Sequence, residues 1–178
     1  MAARQQTGAG PAAPSGLVEV GVLRNALPGW SLAVGGGLAW AAIMAISAAS
    51  GVWLEGWQTD DRVGWLAALY AAGGFLAFPF GFFLAELFSR GRTDTGFAAA
   101  LLAYATTTIA ATAFLFAMHY RLYFAQWHDP AFTITWAFQF VFTGAAAVYQ
   151  FIVLGIRLYF PLSFAALLAL SLWHALRR

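Results

Sequence analysis

The sequence predicts an all-α integral membrane protein, a bundle of five transmembrane helices, and three observations predict it. Of the 178 residues, 62% are hydrophobic and only 9% charged, with a mean hydropathy of +0.73. A soluble domain cannot keep so apolar a surface wet. The apolar residues also fall into long segments, most of them reaching the roughly 20 residues needed to cross about 30 Å of hydrocarbon. Between those segments, charges gather with tryptophan in short connectors, the composition of a headgroup boundary.

Residues 1-27 are expected to be a flexible N-terminal tail followed by an interfacial segment, because their small, polar, proline-punctuated start cannot bury apolar surface. The remainder, 28-178, reads as a single transmembrane helical domain. Its first span, 28-50, opens on Pro28, whose ring suits a first helical turn, and is rich in alanine and in Gly35, Gly36 and Gly37. Glu55, Asp60, Asp61 and Arg62, set among Trp53 and Trp57, mark the connector that follows. The second span, 63-88, contains Pro79, which removes a backbone hydrogen bond and predicts a kink packed against a neighbour.

A charged loop, Ser89 to Thr95, leads to the third span, 96-119, whose Thr106, Thr107, Thr108 and Thr112 are expected to bond their own backbone carbonyls or a neighbouring helix. An aromatic connector then carries Arg121, His128, Asp129 and Pro130. The fourth span, 132-154, has a small-residue patch at Gly144, Ala145, Ala146 and Ala147 that lets another helix approach closely. The fifth, 158-174, would reach about 25 Å at 1.5 Å per residue, the lower edge of spanning length. The alternative is four spans plus a C-terminal re-entrant or interfacial helix. Arginine placement divides these models, because positive residues near span ends stay cytoplasmic. Five spans divide the arginines evenly, with Arg24, Arg90, Arg92 and Arg157 facing Arg62, Arg121, Arg177 and Arg178. Four spans gather Arg157, Arg177 and Arg178 on the first face. Both models place the N-terminus in the cytoplasm.

Composition excludes several functions. The chain has no cysteine, so thiolate metal sites, iron–sulfur clusters and cysteine nucleophiles are absent. Its nine basic residues are scattered arginines, with no run able to track phosphates, so nucleic acid is not an expected partner. The lack of lysine beside abundant alanine, glycine and arginine suggests GC-rich codons, hence a bacterial inner membrane.

Under five spans, His119, His128 and His174 converge on one membrane face with six of the eight tryptophans. Two imidazoles on different helices can hold haem iron, and an aromatic shelf with donors suits a quinone headgroup. The same residues suit an interfacial belt, with an apolar body in lipid and a polar tip in water. Gln139 and Gln150, eleven positions apart and so on nearly one helix side, join Tyr104 in a polar seam for a small solute or lipid, or for interhelical hydrogen bonds. Glu86 is the one carboxylate within a span, and an i,i+4 pair with Arg90 explains it.

No set of buried acids, bases or ligands is assembled for turnover, so the expected role is non-enzymatic: an accessory or structural subunit packing against other membrane proteins or further copies of itself within the bilayer. The alternatives are a haem- or quinone-binding redox subunit using the histidines, and a small-solute or lipid transporter using the Gln139, Gln150 and Tyr104 seam.

Overall fold

A computed structural model describes residues 26–57, 62–89 and 93–177. The expected tail and Arg24, Asp60, Asp61, Arg90 and Arg92 lie outside the described residues. The described chain is all-helical: α1 (Trp30–Leu54), α2 (Val63–Phe88), α3 (Thr93–Phe124), α4 (Ile134–Gln150) and α5 (Leu162–Leu176). A 3-10 turn, Ala125–Trp127, follows α3, and a π turn (Phe151–Gly155) then a 3-10 turn (Ile156–Tyr159) join α4 to α5. Four stretches are long and apolar enough to cross a membrane: Trp30–Leu54, Val63–Phe88, Thr95–Trp127 and Ile134–Tyr159. The last helix, at 15 residues, is shorter.

Local chemistry sets the boundaries. α1 stops because Gly56, at φ 65°, takes the left-handed conformation, and the N–H groups of Gly56 and Trp57 turn back onto the carbonyls of Trp53 and Val52. α4 starts where the Thr133 hydroxyl oxygen accepts from the Trp136 N–H at 3.1 Å.

α1, α2 and α3 form an antiparallel core, and glycines set its close approaches. A β-carbon on Gly73 of α2 would lie 2.9 Å from the Thr112 α-carbon of α3. One on Gly74 would lie 2.7 Å from Met44 of α1. Pro79 stands inside α2, so the Phe75 carbonyl four residues earlier loses its usual helical donor. Gly37 of α1 faces that oxygen, since its β-carbon would sit 3.4 Å away. The threonines of α3 behave as expected: Thr106, Thr107 and Thr112 donate to the carbonyls of Leu102, Ala103 and Thr108 at 2.6, 2.7 and 2.9 Å. The Thr108 side chain instead accepts from Trp40 Nε1 of α1 at 3.0 Å.

The C-terminal part departs from the five-span expectation. Ile134–Tyr159 has the length of a span, yet its end does not reach the start of α1. Leu158 packs at Gly51, and its carbonyl accepts from Ser47 Oγ at 2.9 Å, both on the last third of α1. α5 begins at that level, where the Ser163 N–H donates to Ser47 Oγ at 3.2 Å. It ends beside Gly96 near the start of α3 and Glu86 near the end of α2. α4, the two turns and α5 therefore make one traverse of the bundle, broken part-way. The start of α1 and the end of α5 lie at the same end of the molecule. The physical reason is that Ser47 and the Tyr70 hydroxyl, which donates to the Gly155 carbonyl at 2.7 Å, satisfy the backbone groups freed by the break.

Candidate functional site

The residues singled out for chemistry are spread over the bundle. The His119 ring lies against Trp65, 4.0 Å between centroids and tilted by 44°, in an open cleft shared with Trp57, Arg62, Leu66 and Phe116. His174 lies at the other end. It is fully buried, with its ring 5.5 Å from Phe82 and 6.0 Å from Tyr104, and its Nε2 is 3.6 Å from Glu86 Oε1. Trp65 and Glu86 are twenty-one positions apart on α2, about 31 Å at 1.5 Å per residue. The common face expected for the histidines is therefore not formed, because α5 runs away from the α3–α4 connector that holds His128. His119 and His174 cannot ligate the same iron at this separation. Among the described residues, no group of three or more His, Asp and Glu side chains is placed to hold a metal ion.

The polar seam is not formed either. Gln139 is taken up locally, its Oε1 accepting from the Asp129 N–H at 2.9 Å. Tyr104 is fully buried, its ring set between Trp40, Phe78 and His174. Gln150 faces outward from α4.

Glu86 has a partner that local spacing did not reveal. It pairs with Arg177, the residue that follows α5, whose guanidinium also lies 4.4 Å from the Phe82 ring centroid and 4.9 Å from that of Trp173. The proposed Arg90 partner is outside the described residues. With His174 beside the same carboxylate, the cluster fastens the end of α5 to the end of α2. A pair 91 positions apart leaves no sequence pattern, which is why i,i+4 reasoning missed it.

The outer face of α4 is left largely uncovered by the other described residues. Only Ala147 among its 17 residues is buried, against nine of the 26 residues of α2. Phe138, Val141, Phe142 and Tyr149 are all more than 60% exposed, and nothing lies within 4 Å of a β-carbon placed on Gly144. The level of Gln150 is fixed by its neighbour Phe151, whose ring lies 6.2 Å from Phe116 and 6.3 Å from Tyr70. Tyr70 is seven positions inside the start of α2, about 10 Å. The Gln150 amide makes no hydrogen bond with the described residues. An outward glutamine amide on an otherwise apolar helix distinguishes this face.

No family model matches the chain, and neither a curated protein nor a solved structure does.

Proposed function

We propose that the chain is a multi-pass membrane protein acting as an accessory or structural subunit, packed through the outer face of α4 against another membrane protein or a second copy of itself. The observation that carries this reading is the outward Gln150 amide on a helix held within the chain by little besides α3 and its own C-terminal break. In hydrocarbon an unpaired amide costs free energy that a hydrogen bond to another helix recovers, and Gly144, Ala145 and Ala146 beside it permit a close backbone approach. The haem- or quinone-binding and transport alternatives draw no comparable support, since His119 and His174 lie at opposite ends of the bundle and Gln139, Gln150 and Tyr104 do not converge.

The broken traverse also changes the arginine argument. Arg24, Arg90, Arg92, Arg177 and Arg178 adjoin, in sequence, one end of the bundle, while Arg62, Arg121 and Arg157 belong to the other. The bias of five against three supports a cytoplasmic N-terminus and C-terminus. The arginine-rich, lysine-free composition supports a bacterial inner membrane as the setting.

The absence of cysteine makes the test direct, since one introduced thiol reports one position. Ala146→Cys and Tyr149→Cys, each labelled with a benzophenone maleimide in native membranes, are expected to photo-cross-link to a second polypeptide. Leu38→Cys on α1, 59% exposed in the native residue, serves as the control position and should give only lipid adducts. Lipid adducts alone at all three positions would overturn the subunit reading.

A further inference from the structure

The break between α4 and α5 leaves a cavity of about 220 Å³ bounded by α1, α3 and α5. Its inner wall includes Trp40, Met44 and Tyr104, which are 4%, 0% and 0% exposed. Its rim includes Ile109, Phe160 and Phe164, which are 37%, 54% and 44% exposed. Ile109 stands midway along α3, and Phe160 and Phe164 flank the start of α5, so the mouth opens on the flank of the bundle at mid-height. In a membrane-embedded bundle that opening meets hydrocarbon alone.

Two of the wall's polar groups are already engaged. Trp40 Nε1 donates to Thr108 Oγ1 at 3.0 Å, and Ser163 Oγ donates to Met44 Sδ at 3.4 Å. The Tyr104 and Tyr159 hydroxyls have no hydrogen-bond partner among the described residues, but the surface facing the cavity is apolar throughout, so a polar solute finds few partners there, and water needs two to four. An apolar cavity of about 150 Å³ stays dry and takes up benzene, and this one is larger. At the roughly 30 Å³ that a water molecule occupies in the liquid, it holds about seven groups of methylene size. Irregular backbone at membrane depth is tolerated where it is buried in protein or lines a cavity, which is the position of the turns ending at Tyr159.

We propose that this cavity is a lipid-chain site: the hydrocarbon chain of a membrane lipid enters between Ile109 and Phe164 and ends against Trp40 and Met44. The inference rests on the membrane reading given above. It adds a bound component that the subunit role does not require.

The probe is phosphatidylcholine vesicles whose acyl chains carry bromine, which quenches tryptophan emission on contact. The Trp40 contribution is obtained as the difference between the intact protein and Trp40→Phe. Trp40 is expected to lose its emission in brominated vesicles although it is 4% exposed, and Ala105→Phe, which fills the cavity, to restore it. Quenching of the exposed Trp30, Trp53 and Trp65 with Trp40 unaffected would overturn the lipid-chain site alone. If no tryptophan is quenched, the membrane reading falls and the site with it. Should a variant fail to fold, photolysis of a diazirine-tailed phosphatidylcholine with the unmodified protein decides. Label on the fully buried Met44 supports the site, and label confined to exposed residues of α4, α5 and the outer surface of α1 rejects it.

Discussion

Glu86 and Gln150 are two polar side chains on apolar helices, and the structure treats them oppositely. Glu86 is drawn into a pair with Arg177 beside the buried His174, with side-chain exposures of 18% and 26% for the pair. A half-sheltered pair holds less than a fully buried one, so Glu86→Ala should cost about 1–3 kcal/mol. The check is thermal unfolding in detergent, where Glu86→Gln, which keeps a hydrogen-bond acceptor, should lose less. Gln150 faces outward, and Gln150→Leu should weaken association by about 0.6–2 kcal/mol, roughly threefold to thirtyfold. Cross-linking yield at Ala146→Cys against protein concentration measures that shift. The sequence marked both residues as unusual, because a charge or an amide within an apolar run is visible without a fold. It could not assign their partners. Arg177 lies 91 positions from Glu86, and no spacing rule connects them.

Among the helices, the glycines separate into those that meet a neighbour and those that do not. A methyl group on Gly73 would press on the backbone of Thr112, so Gly73→Ala should destabilise by about 1–3 kcal/mol through separation of α2 and α3. Nothing lies within 4 Å of a β-carbon on Gly35, so Gly35→Ala should be neutral or stabilise by up to about 1 kcal/mol through helix propensity. Melting temperatures of the two variants, compared in one detergent, test the contrast. Element existence was legible: the observed bounds of α2 coincide with the expected 63–88, and α1 starts within two residues of its expectation. The direction of α5 was not. Gly155, Arg157 and Pro161 announce an interruption, but a sequence reading cannot tell a turn between two spans from a break within one. The deciding contacts, Ser47 with Leu158 and Ser163, join residues more than 110 positions apart.

For the whole molecule, the broken traverse puts the start of α1 and the end of α5 at one end, so tags on the two termini should be accessible from the same side of the membrane. Protease protection of N- and C-terminal tags in sealed, oriented vesicles checks this, and protection of one tag with loss of the other would restore five crossings. The strongly apolar character of the helices was legible from composition alone, since it depends on totals rather than on contacts. The histidine arrangement was not, because reversing the direction of α5 moves His174 from one end of the bundle to the other. The break also sets an order of events during synthesis. Ser47, the Tyr70 hydroxyl and Glu86 leave the ribosome early, while Leu158, Gly155, Ser163 and Arg177, their counterparts, emerge last. Until translation nears its end, α1, α2 and α3 have an unfilled slot along the side that α5 will cover. The final 15-residue helix, shorter than the roughly 20 residues of a full crossing, fills that slot against α3 and α1. A chain stopped before Leu162 would lack α5 alone, leaving the sides of α1 and α3 that α5 covers open to other binders such as chaperones.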